Sequence, residues 1–258
     1  MLPNPLFWNI HMYGVMIAVG LLGLFGILFF VGKRIGLEAR FIDFMFYAGT
    51  ASVVVGFFSA MLFQSVYNYI EDPTGGFSLN GGSTFLGGLI GGAITFFAAY
   101  LIFRKRYKNR LYDMISLLPC CVLVAHAFGR LGCFFAGCCY GIEVSNPALH
   151  FFPVSIQIDG VWHFATMFWE SAFCILGFLA LQLFLKRKPP KGAVACAYMC
   201  IYGAWRAIVE TFRGDSLMFF ETGLKVSQVL SILLVIVGII GLVLIYTKHK
   251  KNEKVNHS

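Results

Sequence analysis

Long apolar runs, broken by short polar, glycine-rich or basic stretches, dominate this chain. At about 1.5 Å of rise per residue, a helix needs roughly 20 apolar residues to cross a hydrocarbon core about 30 Å thick. The runs predict helices over 10–32, 41–69, 85–103, 111–135, 165–185, 192–211 and 226–246. The expected fold class is therefore all-α, a polytopic membrane protein with seven transmembrane helices. Residues 136–164 interrupt the pattern with Asn146, Pro147 and Pro153 and carry no Lys or Arg, which predicts an extracytoplasmic head segment. Residues 1–246 are expected to form a single integral membrane domain, followed by a basic, unstructured cytoplasmic tail over 247–258.

Composition supports that reading. The chain is 59% hydrophobic and 12% charged, about half the charged content of a soluble domain. Folding in water would leave too much apolar surface exposed. The net charge of +8 would suit a nucleic-acid binder if it formed one patch, but it does not. Sixteen of the 20 Lys and Arg residues fall in four clusters, Lys33/Arg34/Arg40, 104–110, 186–191 and 248–254. Each lies between or after apolar runs, as cytoplasmic loops do under the positive-inside rule. Seven crossings put all four clusters on one side, with the N-terminus outside, the C-terminus in the cytoplasm and no nucleic-acid partner. Arg213 and Lys225 are then the cations left in outer loops. The first apolar run is too long for a cleavable signal peptide and lacks a small-residue cleavage site.

The polar residues inside the apolar runs carry the chemistry. His126, Arg130 and Cys133 fall within a roughly 60° arc of one helix, and Tyr202, Arg206, Glu210 and Arg213 within a roughly 80° arc of another. An arginine near the bilayer centre costs about 2.5–3.5 kcal/mol on insertion scales, so it is retained for function or neutralised by a partner. Glu210 and Glu170 are the candidate partners for a structural ion-pair network. The competing reading is a phosphate site, with two guanidinium forks converging on a phosphodiester. The glycine breaks around Arg130 favour the second. The pairs Gly87/Gly91 and Gly88/Gly92 have GxxxG spacing, which fits close helix packing or backbone approach to a bound headgroup.

Of eight cysteines, Cys120, Cys121, Cys174, Cys196 and Cys200 lie in apolar helices and read as small packing residues. Cys133, Cys138 and Cys139 sit in the polar, glycine-broken stretch HAFGRLGCFFAGCCYG. With His126 they offer four soft ligands, but the spacing is not that of a zinc ribbon or finger, and no metal site is assigned. Alternatively, a thiolate beside Arg130 could act as a nucleophile with His126 as base. Cys138 or Cys139 could also pair with Cys133 in a redox cycle, or the three could be a structural disulfide and packing residues.

Several stretches together carry a resemblance that spans nearly the whole chain. They are Tyr13-Gly14 in the first helix, GGSTFLGGLIGG entering the third, Gly129-Arg130-Leu131-Gly132-Cys133-Phe134 closing with Gly141, GAVACAYMCIYGAWRAIVETFR and SQVLSI. The chain resembles the bacterial prolipoprotein diacylglyceryl transferase family. That resemblance implies a transferase of the bacterial cell membrane, working without a cofactor, that moves a diacylglyceryl group from phosphatidylglycerol to a thiol and releases glycerol phosphate. By position, Arg130 and Arg206 would hold the phosphate, Glu210 would orient Arg206, and Glu170 matches an acidic residue of the fifth helix. Tyr13, Tyr202 and Gly141 would shape the lipid pocket, with Gly87 and Gly88 at the substrate. Leu86 stands where the family has a histidine, and Cys133, Ala136 and Cys138 where it has Asn, Asn and Glu. The acceptor is expected to be a thiol-containing protein or small molecule. Two other classes remain: a divergent member using Cys133, Cys138 and Cys139 for thiol-redox or thiol-carrier chemistry, and a non-catalytic lipid-binding scaffold.

Overall fold

A computed structural model describes residues 11–71, 78, 84–214, 223 and 225–256. Seven long helices account for most of them: α1 Met12–Arg34, α2 Ala39–Glu71, α3 Phe85–Phe103, α4 Leu118–Ala136, α5 Thr166–Lys186, α6 Ala193–Glu210 and α7 Val226–Asn256. Six are long and apolar enough to cross a membrane; α6, which carries Arg206 and Glu210 within 18 residues, falls outside that set. Large apolar side chains such as Leu22, Phe30, Ile70 and Ile102 point outward at 70% exposure or more, a surface that suits lipid and not water.

Three departures from the predicted pattern have local causes. The fourth helix begins at Leu118 and not at 111, and Leu111–Met114 forms a separate 3-10 turn. Pro119 sits at the start of α4, the one place where a missing N–H and a fixed φ are tolerated. The all-α class holds for the membrane helices, and the segment after α4 adds one small hairpin to it. Strands β1 Ser155–Ile158 and β2 Val161–Phe164 form an antiparallel hairpin, in register from Ser155 opposite Phe164 to Ile158 opposite Val161. Asp159 and Gly160 turn it with φ of 49° and 84°, the left-handed pair that Asp-Gly favours between strands. Finally, α7 continues ten residues past Tyr246 and takes in most of the basic tail. No Gly or Pro interrupts residues 242–256, and each added residue contributes a helical hydrogen bond.

The chain forms two compact units, one of Met1–Ile27 with Tyr112–Ser258 and the other of Leu28–Leu111. In the second unit, glycines let α3 lie directly on α2. A Cβ at Gly87 would stand 2.5 Å from Phe63 Cβ, and one at Gly91 would stand 2.4 Å from Ser59 Cβ. Gly88 likewise faces Ala60 and the Gly56 carbonyl, while Ser59 Oγ donates to the Gly87 carbonyl at 2.9 Å. Close packing therefore accounts for the GxxxG pairs. Gly87→Ala is expected to lower stability by about 1–3 kcal/mol through overpacking, measured by thermal unfolding in detergent, with no selective loss of phospholipid affinity. Selective loss at unchanged stability would instead favour a headgroup contact.

The first unit holds a dense core of Leu117, Cys120, Leu123, Met167, Cys174, Leu181, Val194 and Val209, all essentially inaccessible. Cys196 and Cys200 face α7, where a Cβ on Gly241 or Gly238 would lie 2.6 or 2.7 Å from their sulfurs. Helix α1 approaches α4 through Gly20, Gly23 and Gly132: a Cβ on Gly132 would meet the Tyr13 ring at 3.1 Å. These contacts set the frame of the polar cluster.

Candidate functional site

Glu170, in the first turns of α5, is the centre of that cluster and is fully buried. Its Oε2 lies 3.0 Å from Arg130 Nε and 3.9 Å from Arg213 Nη1, and its Oε1 lies 3.2 Å from Arg206 Nη1. Arg206 Nη2 reaches Glu210 Oε2 at 2.6 Å, one turn along α6. A carboxylate taken out of water needs close cations and hydrogen bonds to offset its desolvation, and Glu170 has three guanidiniums around it. Three arginines against two glutamates leave these five side chains with one positive charge in excess.

All four cations that lie outside the basic loops gather here. Besides the three arginines, Lys225 Nζ donates to the Glu210 carbonyl at 2.6 Å and to the Arg213 carbonyl, a cation set on the negative end of α6. Arg213 and Lys225, expected in outer loops, thus belong to the cluster's framework, and Arg213 is only 9% exposed. Neither was assigned a role at the site from the sequence, although Arg213 shares a helical stripe with Arg206 and Glu210 and both stand out as exceptions to the charge bias.

The two arginines predicted to hold phosphate are engaged differently. Both terminal nitrogens of Arg206 are taken by carboxylates. Arg130 uses only Nε, shared between Glu170 Oε2 and His126 Nε2 at 3.2 Å. Among the described residues nothing pairs with its Nη1 and Nη2, and its side chain remains 18% exposed. Arg130 is therefore fixed at its root and open at its fork, a geometry matched to two oxygens of one anion. His126 also packs against Tyr202, with ring centroids 5.5 Å apart, and Tyr202 stacks on Tyr198 at 5.5 Å. With Nε2 held by a guanidinium, His126 braces Arg130.

Gly141 is a crossing point. Its N–H donates to the Phe164 carbonyl at 2.9 Å, and its carbonyl faces His163 Nδ1 at 3.1 Å. A Cβ there would stand 2.6 Å from the Phe212 carbonyl oxygen, 2.8 Å from Phe164 and 2.9 Å from Thr166. It lets the hairpin, the start of α5 and the segment after α6 meet. Tyr13 lies against Gly132 of α4, while Gly87 and Gly88 belong to the other compact unit.

The three cysteines of the signature come together at the end of α4. Gly137 caps the helix at φ 69°, its N–H turned back to the carbonyls of Cys133 and Phe134, and Cys139 follows at φ 61°. These two left-handed residues reverse the chain, so the sulfurs of Cys133, Cys138 and Cys139 all lie within 4.8 Å of one another. His126 is not part of this group, so the four-ligand set considered from spacing reduces to three thiols. The Cys139 thiol is pulled down to about 5, first by a hydrogen bond from Cys133 and then, against the opposing effect of burial, by Cys138 and by the charges of Arg130 and Arg213. Burial and the neighbouring Cys139 push Cys138 upward.

A family model described as prolipoprotein diacylglyceryl transferase matches residues 5–244. A protein of Streptococcus agalactiae named phosphatidylglycerol–prolipoprotein diacylglyceryl transferase is 34% identical over 219 residues, covering 82% of this chain and 80% of its own length. Proteins of the same name from Clostridium tetani and Clostridium novyi are 32% and 30% identical, covering 90% and 95% of this chain and 91% and 95% of their own.

Proposed function

Because the chain belongs to the prolipoprotein diacylglyceryl transferase family, we propose that it is a membrane-embedded transferase that moves a diacylglyceryl group from phosphatidylglycerol to a thiol acceptor. The observation that carries this reading is the open fork of Arg130, held over a buried carboxylate in a cluster with excess positive charge. A phosphodiester carries one negative charge, and two of its oxygens suit the two free terminal nitrogens of one guanidinium.

In the reaction, the acceptor sulfur attacks the glycerol carbon of the diacylglyceryl group and the carbon–oxygen bond to phosphate breaks. The departing glycerol phosphate gains negative charge, and a fixed guanidinium in a water-poor site stabilises that charge as it develops. Arg206, Glu170, Glu210 and His126 act as positioning residues that hold Arg130. Arg213 braces Glu170, and Lys225 braces the carbonyls at the end of α6. Tyr13, Tyr202 and Gly141 border the lipid path. The histidine that the family carries before its paired glycines is Leu86 here, so activation of the acceptor thiol must come from another group. The acceptor is a thiol-containing protein or small molecule, and a lipobox cysteine of a prolipoprotein is the first to try.

The same reading places all seven helices across the bacterial cell membrane, α6 included because its polar stripe turns to the cluster and not to lipid. The N-terminus is then outside, the basic loops and C-terminus are cytoplasmic, and 136–164 with its hairpin forms the outer head. Residues 1–246 are taken as one integral membrane domain and 247–258 as the cytoplasmic tail. The test is reconstitution with phosphatidylglycerol labelled in its headgroup glycerol and a lipobox peptide. Labelled glycerol phosphate and a thioether-linked lipopeptide are expected from the cysteine peptide and neither from its serine analogue. Absence of both products with the cysteine peptide sinks the reading.

A further inference from the structure

We propose that Cys133, Cys138 and Cys139 form a three-thiolate site for zinc, whose open fourth position takes the acceptor thiol. The argument is geometric. Zinc–sulfur bonds of about 2.3 Å in a tetrahedral site place sulfurs roughly 3.8 Å apart. The three sulfurs already lie within 4.8 Å of one another, so rotamer adjustments suffice to close them on one ion.

The backbone under them is held from several directions. Cys138 N donates to the Cys133 carbonyl at 3.1 Å, Gly137 closes α4, and Thr166 Oγ1 on α5 donates to the Cys139 carbonyl at 3.2 Å. The half-buried thiols are reachable from outside. Charge also fits. Three thiolates around a dication carry one net negative charge, and Cys139 lies within electrostatic reach of Arg130 and Arg213. Three protein ligands with one position open is the pattern of a reactive zinc site, whereas a structural site is closed by four.

This inference rests on the transferase reading and supplies what that reading lacks, a means of activating the acceptor. Coordination releases the acceptor's S–H proton to solvent and leaves a zinc-bound thiolate. Its sulfur forms the new bond to the glycerol carbon as the carbon–oxygen bond breaks, and the electron pair of that bond leaves with glycerol phosphate beside Arg130. The thioether product is a neutral, weak ligand and departs from the ion. No electron is gained or lost by any reactant, so no oxidant is needed.

The experiment uses the full chain purified in detergent under reducing conditions. Metal content is measured after loading with zinc alone, and cobalt(II) is then substituted for zinc. One metal per chain is expected, with sulfur-to-cobalt charge-transfer bands that Cys133→Ser or Cys139→Ser abolishes and Cys196→Ser leaves intact. Retained phosphatidylglycerol binding by the serine variants shows that they fold. Adding the lipobox peptide should shift the cobalt ligand-field bands, and the serine peptide should not. Absence of stoichiometric metal, or an intact mass two hydrogens lighter that marks a disulfide between these cysteines, overturns the site. Metal bound without a peptide-dependent shift overturns the thiol-activating role. Glycerol phosphate release, measured with and without zinc, separates either failure from failure of the transferase reading.

Discussion

Replacing Glu170 with alanine is expected to lower the stability of the protein by about 3–5 kcal/mol, the cost of stripping the partner from buried charges. Glu170 is wholly inaccessible, and its two oxygens face Arg130 at 3.0 Å, Arg206 at 3.2 Å and Arg213 at 3.9 Å. Without it, Arg130 and Arg213 lose this carboxylate, Arg206 keeps Glu210, and mutual repulsion drives the three guanidiniums apart. Glu170→Gln preserves volume and one acceptor oxygen, so it should fall between alanine and the unchanged protein. Thermal unfolding in detergent micelles gives the order. Transferase activity should fall further than stability does, because Arg130 loses the contact that fixes its root. An alanine variant that unfolds at the same temperature as the unchanged protein would show that Glu170 does not organise the cluster.

Arg130→Ala should cost about 100–1,000-fold in turnover, the loss typical of removing one donor from a site that stabilises developing negative charge. Stability should change far less than with Glu170→Ala, since Glu170 keeps Arg206 and Arg213. Arg130→Lys separates charge from shape. An ammonium restores the charge but cannot present two parallel donors, so activity should remain well below that of the unchanged protein. Full activity in Arg130→Lys would argue that the anion is held by charge alone. Arg206→Lys offers the contrast. Both terminal nitrogens of Arg206 already bind carboxylates, and its loss should appear in unfolding as well as in turnover.

Different physical causes determine what could be read from the chain alone. A helix that crosses a membrane satisfies its own backbone within one segment, so apolar run length alone locates it. The predicted third helix, 85–103, agrees with α3, and most other ends fall within two residues. The stripe of His126, Arg130 and Cys133 and that of Tyr202, Arg206, Glu210 and Arg213 were also legible, because the helical period is a local property, although α6 ends at Glu210 and Arg213 joins the cluster from the segment after it. The hairpin turned by Asp159 and Gly160 was equally legible, since an Asp-Gly pair between two short alternating runs is a local hairpin signal, although 136–164 was expected only as an outer loop segment.

The membrane class, the helices, the family and the residue types of the site all follow from the order of residues along the chain. Which carboxylate each cation faces was decided only in three dimensions. Arg130, Arg206, Arg213 and Glu170 come from three helices and a loop, and no sequence spacing encodes distances between them. Two glutamates could have neutralised two arginines pairwise. Instead Glu170 takes three cations, and that sharing leaves the Arg130 fork open. The convergence of three thiols likewise depends on the left-handed turns at Gly137 and Cys139, and a cysteine with positive φ is not foreseeable from residue type. Local periodicity places side chains on faces; only packing in the water-poor interior, where every buried charge needs a partner, decides which of them meet.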